Sequence, residues 1–149
     1  MDAPLLTDDF REFLRLLNAH RVEYIVVGGY AVGLHGYPRA TIDLDVWVRA
    51  SVENADRIVD ALLAFGFASV LPDPAVFLSE RTIIRFGLPP FRIELMTSIS
   101  GVSFDACAPR AVRVDLGDVV APFISLEDLR MNKRASGRHK DLNDLENLP

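Results

Sequence analysis

The chain has 149 residues, half of them apolar and a quarter charged. That balance suits one ordinary globular domain over residues 1–149 and rules out intrinsic disorder. One cysteine, Cys107, leaves no disulfide framework. No apolar run reaches the roughly 18 residues of a membrane span, and a net charge of −5 argues against a broad nucleic-acid binder. Met1-Asp2-Ala3-Pro4 lacks the basic start of a secretory signal, so the expected location is the cytoplasm.

In chain order, residues 8–20 come first, with Phe10, Phe13, Leu14, Leu16 and Leu17 on one helical face and Asp9 with Glu12 resembling a capping pair. Tyr24-Ile25-Val26-Val27 has the length and β-branching of a buried strand. Gly28-Gly29 breaks it, residues 30–35 suit a short helix, and Gly36-Tyr37-Pro38 makes a turn. Residues 42–48 alternate, with Ile42, Leu44, Val46 and Val48 on one face and Asp43, Asp45 and Trp47 on the other. Ser51 predicts the N-cap of a helix to Phe65, stopped by Gly66. Strands follow at 82–86 and 91–96 around a Gly87–Pro90 turn, then at 111–116 and 119–124. Ser125 with Asp128 opens a helix to about Ala135, and a last helix covers 139–148. The predicted class is α/β (α+β) with a mixed sheet flanked by helices.

Asp43 and Asp45 are the first pair with chemical content. Two carboxylates on one strand face stand about 7 Å apart and repel by roughly 2 kcal/mol at an effective dielectric of 20. Such a pair faces water or a cation, and hard oxygen ligands suit Mg²⁺. If the 91–96 strand lies nearby, Glu94 joins them, and three carboxylates can hold two divalent ions. Taken alone, the aspartates also fit a solvated sheet face, and Glu94 fits a surface ion pair with Arg92 or Arg85.

Gly28-Gly29 lets the backbone turn sharply and offers an N–H nest for an anion, although a plain turn has the same appearance. The basic residues are unevenly chosen, with fourteen arginines against the lysines Lys133 and Lys140. From Arg130 to Lys140 there are five basic residues and no acid. Lys133, Arg138 and Lys140 suit a triphosphate, or simply complement a helix dipole. The histidines His20, His35 and His139 are isolated in the sequence and are read as surface or boundary residues.

Together these residues resemble the nucleotidyltransferase superfamily typified by DNA polymerase β. The signature reads Val27-Gly28-Gly29, then Asp43-Leu44-Asp45-Val46, then Ile93-Glu94-Leu95. The closer resemblance is to minimal nucleotidyltransferases of the AbiEii toxin group and related bacterial proteins. It rests on Gly28-Gly29-Tyr30-Ala31, on Arg39-Ala40-Thr41-Ile42-Asp43-Leu44-Asp45, and on Lys133, Arg138, Lys140, Asp141 and Asp144. Glu94 stands where Asp is commoner in that group, and the chain is shorter than typical toxins.

The resemblance implies a palm-type mixed sheet and Mg²⁺-dependent transfer of a nucleoside monophosphate from an NTP to a hydroxyl. Asp43, Asp45 and Glu94 would be the catalytic carboxylates, holding two Mg²⁺ ions. Gly28, Gly29, Arg39, Thr41, Lys133, Arg138 and Lys140 would bind the nucleotide. The acceptor stays open between tRNA, a protein and a small hydroxylated molecule, within or outside a toxin–antitoxin or phage-defence system. The competing expectation is a non-catalytic nucleotide- or partner-binding module such as an antitoxin component. Trp47, Phe77 and Phe91 are read as available for a homodimer.

Overall fold

Short β-branched runs separated by glycines and helix caps build a six-stranded mixed sheet flanked by helices. The structure, a computed structural model, describes residue 4 and residues 6–41, 43–88 and 91–149. Its strands are β1 (Tyr24–Val27), β2 (Leu44–Val48), β3 (Ile83–Phe86), β4 (Ile93–Met96), β5 (Val112–Asp115) and β6 (Val120–Phe123), in the spatial order β3-β4-β2-β1-β6-β5. β1 runs antiparallel to β2 and parallel to β6, while β2 runs parallel to β4. The hairpins β3–β4 and β5–β6 are antiparallel and form the two ends of the sheet.

The helices are α1 (Asp8–Ala19), α2 (Gly28–Leu34), α3 (Val52–Phe65), α4 (Phe104–Cys107), α5 (Leu126–Ser136) and α6 (His139–Asn147). Thr7 caps α1 by accepting from the Phe10 amide, so the predicted Asp9–Glu12 pair lies inside the helix. A hydroxyl one residue before the first turn reaches an orphan N–H that a carboxylate within the turn does not. Ser51 caps α3 and left-handed Gly66 ends it, as predicted. Ser125 caps α5 through the Asp128 amide. The Asp128 carboxylate instead takes a two-point contact from Arg110, at 2.8 and 3.0 Å.

β1 has the predicted bounds, and the other five strands are shorter than predicted. β2 begins at Leu44, so Asp43 precedes the strand, and residue 42 lies outside the described residues. Residues 89 and 90 of the predicted turn also lie outside them. Between α3 and β3 run two short 3-10 turns, Ala68–Val70 and Pro74–Leu78, which periodicity did not indicate. Neither was α4 foreseen, since four residues are too few to show a helical period.

The alternation of β2 and β4 divides the sheet into a dry and a polar face. Leu44, Val46, Val48, Ile93 and Leu95 join the buried faces of α1 and α3, including Phe13, Leu14, Leu17, Ile58 and Leu62, in one hydrophobic cluster. Each fully buried Leu or Phe contributes about 1.5–3 kcal/mol. Trp47 and Phe77 also belong to this core, at 1% and 0% exposure. They are therefore not available for a dimer; of the three aromatics named for one, Phe91 alone is exposed. His35 is buried too, not a boundary residue, with Nε2 2.6 Å from the carbonyl of Ile124. Among the described residues no helix is long and apolar enough to cross a membrane.

Candidate active site

Strand register explains why the acids meet. Asp45 on β2 pairs with Glu94 on β4, and Glu94 pairs in turn with Arg85 on β3. In a sheet, residues in register point the same way, so Arg85, Glu94 and Asp45 form one row on the polar face. Asp43, at the entrance of β2, completes the group. Ligand oxygens of Asp43, Asp45 and Glu94 all lie within 4.8 Å of one another, and all three residues are half-buried.

The three carboxylates are unequally compensated. Arg92 places a two-point contact on Asp43, at 2.8 and 3.1 Å, and lies 3.9 Å from Glu94. Arg85 donates to Glu94 at 2.9 Å. Both ion pairs foreseen for Glu94 thus exist alongside the acidic cluster. Asp45 is different: its Oδ1 is buried and has no hydrogen-bond partner among the described residues. Burial, then the charges of Glu94 and Asp43, push its carboxyl up to about 7, and Lys140 pulls the other way. An orphaned buried oxygen beside two like charges is the donor set a divalent cation neutralises, so these residues fit a metal.

The glycines serve this cluster in a way that their sequence did not disclose. α2 starts at Gly28 itself, directly after the residue of β1 paired with Asp45. Gly28 is left-handed, with φ at +69°, and a Cβ there would stand 2.1 Å from Asp45 Oδ2. A Cβ on Gly29 would stand 2.5 Å from Thr41 Oγ1. The pair leaves room for two neighbouring side chains as well as turning the chain.

The basic residues divide into engaged and free. Lys133, on α5, is buried and touches Asp141 at 3.2 Å and Asp144 at 3.1 Å. Arg39 grips Asp144 through two contacts, at 2.9 and 3.0 Å, and Arg138 donates to Asp141 at 2.8 Å. Burial raises the Asp141 pKa, but hydrogen bonds from Arg138, Ser136 and Lys133 outweigh it and hold the group below the usual carboxylate range. Lys140 is exposed, and its influence on Asp45 places it near the acids. Thr41 stands beside Gly29, with only a long contact of 3.5 Å to the Asp43 carbonyl.

A cavity of about 400 Å³ joins these parts, lined by Gly28, Gly29, Arg39, Asp45, Arg85, Glu94, Lys133, Arg138 and Lys140. Of the predicted nucleotide-binding residues only Thr41 is absent from its lining. The sequence named Arg85 and Arg92 as partners of Glu94 but not the two-point contact of Arg92 on Asp43, and named Asp141 and Asp144 without showing that they grip Lys133. A helix start rich in acid gave the only signal for those two.

Residues 6–148 match the model of a family described as nucleotidyltransferase of unknown function. A crystal structure of a candidate nucleotidyltransferase from Thermotoga maritima is similar in fold. It has a TM-score of 0.63 and 18% identity over 92% of this chain and 88% of that one. No curated protein matches the chain.

Proposed function

The chain belongs to the nucleotidyltransferase family DUF6036, and from that premise we propose that it moves a nucleoside monophosphate from an NTP to a hydroxyl of an acceptor in a Mg²⁺-dependent reaction. One observation carries the reading: the 400 Å³ cavity sets five basic side chains beside Asp45 and Glu94. A triphosphate brings several negative charges to the basic wall, and its α-phosphate falls at the acidic end.

In this reading Asp43, Asp45 and Glu94 hold the metal, two ions being the expected number. When bound, divalent metal neutralises charge on the phosphates and on the attacking and leaving oxygens. Gly28 and Gly29 offer backbone N–H groups to the terminal phosphates. Lys140, an exposed cation of the cavity wall, contacts the departing pyrophosphate, with Arg39, Arg138 and Lys133 supplying the positive field behind it. Thr41 fixes the loop that carries Asp43. Glu94 accepts the proton of the attacking hydroxyl, because its position in register with Asp45 sets it beside the reacting phosphorus.

A second reading is favoured by the arginines. Arg92 and Arg85 already satisfy Asp43 and Glu94, as in a non-catalytic nucleotide- or partner-binding module, for instance one half of a toxin–antitoxin pair of AbiEii type. A thermal-shift screen with ATP, GTP, CTP and UTP, with and without Mg²⁺, separates the two. Ligand at about 100 times its dissociation constant adds roughly 2.7 kcal/mol, a rise of about 5–10 °C at this chain length. The transferase reading expects that rise only with Mg²⁺ and expects Asp45→Asn to lose it. A shift indifferent to Mg²⁺ supports the binding module, and no shift with any nucleotide overturns both nucleotide readings.

A further inference from the structure

A second hollow, of about 700 Å³, lies further along the same sheet face. The row Arg85–Glu94–Asp45 underlies the first cavity, and the next row, Ile83–Met96–Trp47, leads into the second. Two residues along a strand advance it by about 7 Å, so Trp47 stands one short step from the acids. Ile83, Ile99 and Ser100 line both hollows, which therefore adjoin. This volume falls within the range of about 300–1,000 Å³ typical of small-molecule sites.

The two hollows differ in charge. Against five basic and two acidic side chains in the first, the second has Arg49 and Arg81 balanced by Glu80 and Asp105. Arg49 is committed to Glu23 and Asp105 and lies over the Phe104 ring. A polyanion such as RNA needs a surplus of cations along its track, which this hollow lacks. What it offers are neutral polar groups, with the hydroxyls of Ser98, Ser100 and Ser103 on its walls. Beneath them lies Trp47, 1% exposed, whose indole N–H has no partner among the described residues. A folded protein's single side-chain hydroxyl would leave most of such a volume unfilled.

We infer that this second hollow is the acceptor site, and that the acceptor is a small, uncharged, polyhydroxylated molecule of the sugar or cyclitol class. The inference rests on the nucleotidyltransferase reading and names the substrate of that same site. One acceptor hydroxyl, reaching back toward Glu94, forms a bond to the α-phosphorus of the NTP. The bond from that phosphorus to the bridging oxygen breaks, pyrophosphate leaves with the electron pair, and the hydroxyl proton passes to Glu94.

Trp47 is the chain's single tryptophan, so its fluorescence reports on the hollow without any nucleotide chemistry. Ribose, glucose and myo-inositol serve as probes, with total tRNA as the polyanion control. The expected result is a saturable change with at least one of the three, weakened by about tenfold or more in Ala50→Phe and in Ser98→Phe. Both positions line this hollow and not the first, and Ala50 is exposed, so the larger side chain there does not disturb the core. No change with any of the three overturns the inference, as does a change that both filled variants retain or a response to tRNA alone. The Mg²⁺–ATP thermal shift is run in parallel. If it persists while the polyols fail, the acceptor inference alone falls; if it is absent, the nucleotide reading falls, whatever the fluorescence shows.

Discussion

Two groups of charge contribute to the walls of the same cavity, and they are assembled on opposite rules. In the C-terminal group Lys133, Arg39 and Arg138 meet Asp141 and Asp144, and every one of these five has an opposite charge within 3.2 Å. In the acidic group Asp43 and Glu94 have arginines, but Asp45 keeps a buried oxygen with no partner among the described residues. A satisfied cluster of this kind fixes the position of α6 against α5 and the Arg39 loop. An unsatisfied one stores a preference for a cation that the chain itself does not supply. The contrast separates residues that shape the cavity from residues that await something in it.

The sharpest way to break the contrast is Lys133→Met. Removing the ammonium leaves Asp141 and Asp144 with a buried deficit of positive charge, and breaking a buried pair costs about 3–5 kcal/mol. The melting temperature should fall by roughly 10 °C, read by thermal denaturation in the absence of nucleotide. A loss of nucleotide response with an unchanged melting temperature would show that Lys133 belongs with the ligand-facing residues instead.

Next in size is the pH dependence of the acidic group. The Asp45 carboxyl is raised to about 7 from an ordinary carboxylate value, first by burial and then by Glu94 and Asp43. The folded state therefore binds more protons than the unfolded chain between about pH 4 and 7. Stability of the metal-free protein should fall as pH rises through that window, by at most about 4 kcal/mol, less where solvent reaches the cluster. Melting curves in chelator should show the decline, Asp45→Asn should flatten it, and saturating Mg²⁺ should reduce it. A metal-free protein equally stable from about pH 5 to 8 would refute the premise.

The smallest effect is expected at Arg92, whose side chain is one-third exposed. Arg92→Gln removes the two-point contact on Asp43, so the metal-free variant should melt slightly lower. Mg²⁺ no longer competes with a guanidinium, and its stabilisation of the variant should exceed that of the parent. Equal gains would mean that Arg92 and the cation do not share Asp43.

The sequence made the repeating parts of the molecule legible. Period-two alternation located β2, and Ser51, Gly66 and Ser125 marked helix ends, because each is a local signal. The acidic group was readable for the same reason: Asp43 and Asp45 are close in sequence, and a strand containing Glu94 needed only to lie beside them. Asp43 proved to precede the strand, and its contact with Arg92, a residue 49 positions away, had no local signal. The C-terminal group was harder to foresee. Acids at the start of a helix look like dipole complements, and nothing local shows that they turn toward Lys133 and Arg39. The second hollow was invisible for a similar reason, as Trp47 reads as one more apolar residue until Phe104 and Ile99 come to surround it.

The link between Arg39 and Asp144 spans 105 residues of sequence, and this sets an order on synthesis. Chains are made from the N-terminus, and early segments can begin to fold before later ones exist. Asp43, Asp45 and Glu94 are all present once β4 has been made, whereas Arg39 and Lys133 wait for Asp141 and Asp144 in α6. A growing chain thus carries the three carboxylates before the acids that fix Arg39 and Lys133 exist. The C-terminal charge cluster is complete only with α6, well after the carboxylate row has been made.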